Sequence, residues 1–292
     1  MASGSVSIGA VIVSFEGGNV LRTTVEHLLG QVDTIVIVDN GSMEDASRNV
    51  LELIEHDPAL VGTTVLRNRT NLGIAAALNR GISWLVTRGC AWILTMDQDS
   101  SASPGMVARL HEACEMNPRV AIAAPLSLPY DCVPMNRTSP VAEMRDLDFI
   151  HTSGNLVRAD AWKTLGGFRE DYFIDCVDYE FCWRIRRAGY RILQVPAAQL
   201  RHRFARLSVV HVLGRRITCT NYPAQRRYYQ VRNGIALART MSDRKYSWAM
   251  VGSVVRETVK VVLFEKQKYR KLASTARGIR DGMLGRLGRV EI

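Results

Sequence analysis

Two carboxylates, Asp97 and Asp99, stand one residue apart directly after the apolar stretch Trp92–Met96, which reads WILTM. Such a stretch is typical of a buried strand. Carboxylate oxygens are preferred ligands of magnesium and manganese ions, which often bridge to substrate phosphates. The pair therefore indicates a divalent-cation site that could also engage a ribose hydroxyl. The alternative is that the two acids cap the helix predicted to begin near Pro104.

A second acidic cluster lies in residues 172–184, which read YFIDCVDYEFCWR. Asp175, Asp178 and Glu180 alternate there with apolar and aromatic residues, so we expect the three carboxylates to be crowded and partly desolvated. Both effects raise the pKa of a carboxylate and bring a general base closer to neutral pH. The alternative is that some of these acids cap the following helix or pair with its arginines. We expect both roles to occur among the three.

Further polar residues follow the first two predicted strands and precede a helix. Asp39 ends the apolar run TIVIV and begins the turn DNGS; it could accept a hydrogen bond from a pyrimidine N–H or a ribose hydroxyl, or simply close an Asx-turn. Ser14 ends the first strand. Arg69 and Asn71 precede the helix that begins at Gly73, and a helix N-terminus beside an arginine suits a diphosphate. An ordinary capped helix is the alternative.

Two basic segments lie later in the chain. His202 stands between two arginines, which favour a neutral ring that is able to bind a metal, although a lone histidine is more often structural. Residues 225–234 read QRRYYQVRNG. Paired arginines and tyrosines suit phosphates, whether of a small ligand or of a nucleic acid, so this segment alone does not decide between them.

The elements that must position these residues follow a βαβ pattern. Short apolar runs at 8–15, 34–38, 63–66, 92–96 and 120–125 predict strands, and the segments 20–29, 44–56, 73–88 and 104–116 predict helices. Such alternation predicts an α/β domain with a largely parallel sheet. Ligands of such sheets bind at the carboxyl ends of the strands, where the polar residues stand. Further strands are predicted at 149–157 and 190–195, followed by a mostly helical remainder.

The charge, the cysteines and the apolar segments of the chain limit which partners and which cellular location are expected. The formal net charge is +10, and residues 244–292 hold 12 Lys and Arg against 4 Asp and Glu. This charge suits an anionic membrane surface, or only a solvated helix face. The six cysteines form no CxxC pair, which is typical of buried thiols in a reducing compartment. We find no signal peptide and no clean apolar span. A cytoplasmic protein, peripheral on the inner face of the cell membrane, is predicted.

Taken in order, the segments VDNGS, NLGIAAALNRG, MDQDS, SGNLV, GGFRE, FIDCVDYEFCWR, RHR and RRYYQVRNG resemble glycosyltransferase family 2 over about residues 8–234. The DQDS form, together with the FIDCVDYE segment, is similar to the bacterial rhamnosyltransferase branch. The resemblance implies the GT-A fold, with a mostly parallel central sheet flanked by helices. It places a catalytic domain at 1–205, with a nucleotide-sugar half to about 125 and an acceptor half at 126–205. A basic, mostly helical region would follow at 206–292.

The resemblance also implies a role for each candidate residue. Asp178 would be the catalytic base, although many members have Glu-Asp where this chain has Val177-Asp178. Asp99 and His202 would bind magnesium or manganese. The donor would be bound by residues at the strand ends and the helix start, namely Ser14, Asp39, Arg69, Asn71 and Asp97. The acceptor side would comprise Ser153, Gly154, Asp175, Glu180, Arg232 and Asn233, the last two near phosphates.

The expected activity is an inverting transfer of L-rhamnose from dTDP-β-L-rhamnose to a hydroxyl of a glycan or lipid-linked acceptor, in the synthesis of cell-surface polysaccharide or glycolipid. Two alternatives remain at this point. The donor could be a UDP-hexose or another dTDP-sugar. From a different class, the chain could be a basic nucleic-acid-binding protein; acids at the strand ends and the lack of an aromatic stacking platform argue against a nucleic-acid partner. The acceptor and the oligomeric state stay open.

Overall fold

The computed structural model describes residues 6–129, 143–202, 208–212, 214–241 and 243–290. These residues form two compact units. The first comprises the described residues up to Phe168 and those from Phe181 to His202, and the second comprises Arg169–Glu180 and the described residues from Ser208 onward. The domain boundary predicted after residue 205 falls outside the described residues and stays a prediction.

The first unit is built on one sheet of nine strands. The strands are β1 (Ile8–Ser14), β2 (Thr34–Asp39), β3 (Thr63–Arg67), β4 (Trp92–Asp97), β5 (Ser100–Ala102), β6 (Val120–Pro129), β7 (Arg145–Asp146), β8 (Asn155–Arg158) and β9 (Arg191–His202). Their order is β3-β2-β1-β4-β8-β6-β9-β5, and β7 pairs with β9. Strands β3, β2, β1 and β4 are parallel, whereas β8 is antiparallel to both neighbours. The predicted α/β fold is confirmed; the sheet is parallel from β3 to β4, and the complete sheet is mixed.

Among the described residues, five helices of the first unit flank this sheet: α1 (Val20–Glu26), α2 (Asp45–His56), α3 (Ile74–Val86), α4 (Met106–Glu115) and α5 (Ala159–Thr164). Helix α6 (Val177–Arg187) begins in the second unit and ends in the first. The continuous apolar runs of β1 and β2 are buried, as in Val11 and Ile37, because helices cover parallel sheets on both faces. A Cβ atom at Gly81 would lie 2.3 Å from Val11 Cγ2. Glycine therefore permits α3 to pack closely on β1.

Two of the later strand predictions differ from the structure, and two short strands were not predicted. The strand predicted at 149–157 begins only at Asn155, because Gly154 has a φ of +84°, which extended backbone does not adopt. The strand predicted at 190–195 continues as far as His202. Strands β5 and β7 have three and two residues and are too short to show a periodic pattern.

The described part of the second unit contains a two-stranded hairpin and three long helices. Strands β10 (Ser208–Val212) and β11 (Arg215–Cys219) pair antiparallel, so the basic remainder is not helical throughout. Helices α7 (Ala224–Thr240), α8 (Arg244–Phe264) and α9 (Lys268–Leu284) follow. A Cβ at Gly282 would lie 2.6 Å from the carbonyl oxygen of Arg232, so the α9 backbone approaches that of α7 closely. Among the described helices, none has the length and apolar character needed to cross a membrane.

The five described cysteines are free. Cys90, Cys114, Cys182 and Cys219 are buried, and burial raises the pKa of Cys114 to about 12. A thiol with such a pKa is inert at neutral pH. This agrees with the prediction of buried thiols for the described positions; Cys132 lies outside the described residues.

Candidate active site

Asp97, Asp99 and His202 come together at one edge of the sheet in the first unit. Each offers a ligand atom, and these atoms all lie within 4.8 Å of one another. Strand β4 ends at Asp97, and antiparallel pairing of β5 with β9 sets Ser100 opposite His202. All three side chains are partly buried. Two carboxylates and an imidazole suit magnesium or manganese, so the cluster can hold a divalent cation.

Two buried serines orient the histidine of this cluster. Ser100 Oγ lies 2.8 Å from His202 Nδ1 and 2.8 Å from Ser153 Oγ, and Ser153 Oγ accepts a hydrogen bond from the Asp97 N–H at 3.1 Å. The distances fit either direction of this hydrogen-bond chain, and Nε2 is left to bind a cation when Nδ1 carries the proton. His202 Nε2 lies 3.9 Å from Asp97 Oδ2. Sequence reasoning missed Ser100, although it follows Asp99 directly.

The segment predicted to face the acceptor, Ser153-Gly154, is buried. The Gly154 N–H donates to the Thr95 carbonyl oxygen at 2.7 Å. A Cβ at Gly154 would lie 2.8 Å from the side chains of Leu200 and Pro125. The structure therefore gives Ser153 a hydrogen bond to the backbone of Asp97 and gives Gly154 a packing role. Burial is the reason that both roles differ from the predicted acceptor contact.

The predicted donor residues of the first two strands share one edge of the sheet. Parallel pairing sets Ser14 opposite Asp39 and Val13 opposite Asp97. Between the two aspartates of the cluster, Gln98 accepts a hydrogen bond from the Phe15 N–H at 2.8 Å, which holds the end of β1 beside that of β4. The carboxyl-edge position predicted for these side chains is confirmed.

The turn after β2 contacts the start of α3. Asp39 Oδ1 accepts from the Ser42 N–H at 3.1 Å, so the carboxylate braces the turn, although its partner lies three residues on and not two as in an Asx-turn. Asn40 Nδ2 donates to Asn71 Oδ1 at 3.1 Å, and Asn71 Oδ1 also accepts from the Gly73 N–H at 2.9 Å. Asn71 therefore ties the helix start to the turn.

Arg69, by contrast, is exposed next to this junction. Its side chain is therefore accessible to an anionic ligand. The junction itself places Asp39 and the start of α3 side by side, as the predicted donor site requires.

The acidic segment of the second unit has a strained backbone. Phe173, Asp175 and Cys176 have φ of 64°, 63° and 60°, a region that costs free energy for residues other than glycine. Asn233 Nδ2 donates to the carbonyl oxygens of Tyr172, Ile174 and Asp175 at 2.8, 2.7 and 2.9 Å. These contacts hold the segment in its left-handed conformations.

Arg232 supports the same segment. Its Nη2 donates to the Tyr172 carbonyl oxygen at 3.1 Å, and its Nη1 donates to the Gly288 carbonyl oxygen at 2.5 Å. Arg232 and Asn233 are both 0% exposed. We predicted them near phosphates, and the structure differs: fully buried side chains already bonded to backbone carbonyls do not reach a ligand. They position the acidic segment instead.

The three acids of this segment have different environments. Asp175 forms an ion pair with Arg226 at 3.3 Å. Burial raises the pKa of Asp175, Arg226 opposes the rise, and the nearby charge of Asp178 adds to it. Glu180 is 2% exposed, which does not suit the predicted contact with an acceptor. Asp178 is partly buried in the first turn of α6, where the helix N-terminus favours a carboxylate.

Solved structures with a similar fold are glycosyltransferases of the GT-A class. GalNAc-T7, solved with UDP, GalNAc and Mn²⁺, aligns with a TM-score of 0.65 and 14% identity over 96% of this chain and 56% of its own. The chain thus spans just over half of the GalNAc-T7 chain. Mannosyltransferase PcManGT of Pyrobaculum calidifontis, solved with GDP-Man and Mn²⁺, aligns with a TM-score of 0.58 and 12% identity over 97% of this chain and 76% of its own. These likenesses show the GT-A fold.

Residues 10–187 match the model of glycosyl transferase family 2. Because this match covers more than half of the chain, the protein belongs to glycosyl transferase family 2 and is a glycosyltransferase. Among curated proteins, the dTDP-rhamnosyl transferase RfbF of Shigella flexneri is 25% identical over 311 residues, which cover 97% of both chains. The resemblance to the rhamnosyltransferase branch is thereby confirmed at the level of sequence.

Proposed function

We propose that the protein is an inverting rhamnosyltransferase that moves L-rhamnose from dTDP-β-L-rhamnose to a hydroxyl of a glycan or lipid-linked acceptor. The observation that carries the transferase chemistry is the cluster of Asp97, Asp99 and His202 at the carboxyl edge of the sheet. The choice of sugar is supported by the similarity to a dTDP-rhamnosyl transferase along nearly the whole of both chains.

The first unit would bind the donor. Asp99 and His202 would hold a magnesium or manganese ion, which when bound supplies positive charge to stabilise the departing nucleoside diphosphate. Asp97 would accept a hydrogen bond from the ribose. Asp39 would accept one from the pyrimidine N–H, because a carboxylate that already accepts from Ser42 has further lone pairs. The exposed guanidinium of Arg69 would lie near the diphosphate.

Asp178 would act as the general base. Its carboxylate would accept the proton of the acceptor hydroxyl while that oxygen forms a bond to the anomeric carbon and the bond from this carbon to the diphosphate oxygen breaks. Attack opposite the leaving group inverts the configuration, so a β-L donor gives an α-L-rhamnoside. Asp175, paired with Arg226, would help to orient the acceptor side.

We also propose that the enzyme works at the cytoplasmic face of the cell membrane, in the synthesis of cell-surface polysaccharide or glycolipid. The excess of Lys and Arg after residue 244 supports this location, because basic residues are attracted to anionic lipid.

The donor is tested by thermal unfolding with dTDP-L-rhamnose, with UDP-glucose or with buffer alone, each with manganese or EDTA. A donor at a hundred times its Kd should stabilise the fold by about 2.7 kcal/mol. We expect a manganese-dependent rise in Tm with dTDP-L-rhamnose only. Asp99→Ala should abolish that dependence, whereas Glu52→Ala, which removes an exposed carboxylate on α2, should not. A rise with UDP-glucose alone would refute the rhamnose donor, and no rise with either donor would refute the transferase site.

The general base is tested with Asp178→Asn. The amide keeps the shape of the side chain but does not accept the proton, so turnover should fall by roughly two to four orders of magnitude while donor binding is kept. Asp171→Asn is the matched control, because its carboxylate forms a partly exposed ion pair with Arg169. Steady-state kinetics and the anomeric configuration of the product by NMR are measured. Full activity of Asp178→Asn, or a β-linked product, would contradict the mechanism.

A further inference from the structure

The outer face of α8 is apolar and exposed. Its exposed apolar side chains recur every three or four residues and therefore lie on one face of the helix. We define them as the α8 stripe: Trp248, Val251, Val255, Val259, Val262 and Leu263. Trp248 is 67% exposed and Val255 is 56% exposed. Contiguous exposed apolar surface of this kind marks an interaction site.

The other face of α8 packs within the second unit. Val261 is 2% exposed, and Arg227 of α7 donates to the Val254 carbonyl oxygen at 3.1 Å and to Thr258 Oγ1 at 2.6 Å. The orientation of α8 is therefore fixed by contacts on that face. The α8 stripe is consequently presented outward by a folded scaffold.

Every exposed charged side chain in the described stretch 244–290 is basic. These side chains belong to Arg244, Lys245, Arg256, Lys266, Lys268, Arg270, Arg280, Arg286 and Arg289. The acids described in the same stretch are buried or form ion pairs. Glu265 and Asp281 are each 4% exposed, and Glu257 Oε1 lies 2.7 Å from Lys260 Nζ. The exposed charge of residues 244–290 is thus basic throughout, and the exposed acid Asp243 stands directly before this stretch at the start of α8.

This charge distinguishes between two partners for the α8 stripe. A second copy of the chain would bring one basic surface against another, and like charges repel. Anionic lipid attracts the same residues and also accepts the apolar side chains. Trp248 and Tyr269, which is 91% exposed, are of the residue types enriched at the boundary between lipid and water.

We propose that the α8 stripe and the exposed basic residues of 244–290 form a membrane-docking surface, with α8 lying in the plane of an anionic leaflet. This inference rests on the membrane location proposed above and does not depend on the donor sugar. It narrows the acceptor class, because an enzyme held at a leaflet meets acceptors anchored in that leaflet. The acceptor hydroxyl would therefore belong to a lipid-linked glycan.

The apolar part of this surface is tested by flotation of the full chain with vesicles of phosphatidylethanolamine and phosphatidylglycerol, or of phosphatidylcholine alone. The wild-type protein should float with the anionic vesicles. Val255→Asp combined with Val259→Asp should lower the bound fraction about tenfold. Val61→Asp is the matched control, since Val61 is an 83% exposed valine of the first unit. Equal flotation of the double variant and the wild type would overturn the proposal.

The electrostatic part is tested with Lys266→Glu combined with Arg270→Glu, which should lower the bound fraction about tenfold. Arg119→Glu, which reverses an exposed charge in the first unit, should bind like the wild type. The manganese-dependent donor shift in Tm is measured for every variant and should be unchanged, so that loss of docking is separated from failure of the donor site. If the valine variants instead dissociate a dimer in sedimentation and still float, the stripe is a protein interface and the proposal is wrong.

Discussion

Ser100 begins the strand that follows Asp97 and Asp99 and pairs with the strand that carries His202, the third member of the cation cluster. It is 0% exposed and lies at hydrogen-bond distance from both His202 and Ser153. A metal-binding histidine is commonly oriented through its other ring nitrogen, and loss of the orienting partner weakens metal binding. At the scale of single residues, we therefore propose that Ser100 positions His202 for the cation.

We expect Ser100→Ala to weaken manganese binding about 10- to 100-fold, because His202 then loses the partner that fixes its ring. Binding is measured by calorimetric titration, and Tm is recorded beside it. Ser103→Ala is the matched control: Ser103 is 6% exposed and its hydroxyl accepts from the Gln199 N–H at 3.3 Å, away from the cluster. Equal losses of affinity in both variants would indicate general destabilisation and contradict the positioning role.

At the scale of elements, α7 controls the backbone that precedes α6. Its residue Asn233 donates to three backbone carbonyl oxygens of the strained segment. The backbone of α7 also packs closely on α9 at Gly278 and Gly282. A side chain at either glycine would push α9 away from α7. The conformation of the acidic segment therefore depends on the packing of two helices that lie much later in the chain.

We expect Asn233→Ala to lower kcat by about a hundredfold, because the segment that leads to Asp178 loses its anchor, while manganese affinity is kept. Gln225→Ala, which changes an exposed residue of the same helix, should have little effect. Kinetics are measured well below the Tm of the variant, so that unfolding does not contribute. An unchanged kcat with a lower Tm would show that Asn233 serves stability alone.

At the scale of the whole molecule, the sequence predicts the first four strands well because each is a continuous apolar run, and Asp97 and Asp99 follow one of them. It predicts the later parts less well. Arginine is rarely buried, so the burial of Arg232 becomes visible only once its carbonyl partners are known. Spacing alone likewise does not distinguish the environment of Asp175 from that of Asp178. Asp175 forms an ion pair with Arg226, which lies far along the chain. Strand β5, which sets Ser100 opposite His202, has only three residues and gives no periodic signal.

The charges of the molecule are also divided along the chain. The acids of the cation cluster and of the predicted base precede residue 181, whereas most of the excess of Lys and Arg follows residue 243. The carboxylates proposed for catalysis and the basic surface therefore belong to different parts of the sequence. A change of surface charge in the last two helices should leave the donor chemistry intact, which is why docking and donor binding are measurable separately.

The pairing of β5 with β9 also has a consequence for the order in which the protein folds. Ser100 and His202 are 102 residues apart, and contacts between such distant residues form slowly because a long loop must close first. During synthesis the two aspartates leave the ribosome well before the histidine. A nascent chain that ends before β9 has only part of the cation cluster. The cluster is therefore complete only after β9, the last strand of the sheet along the chain, has paired with its neighbours.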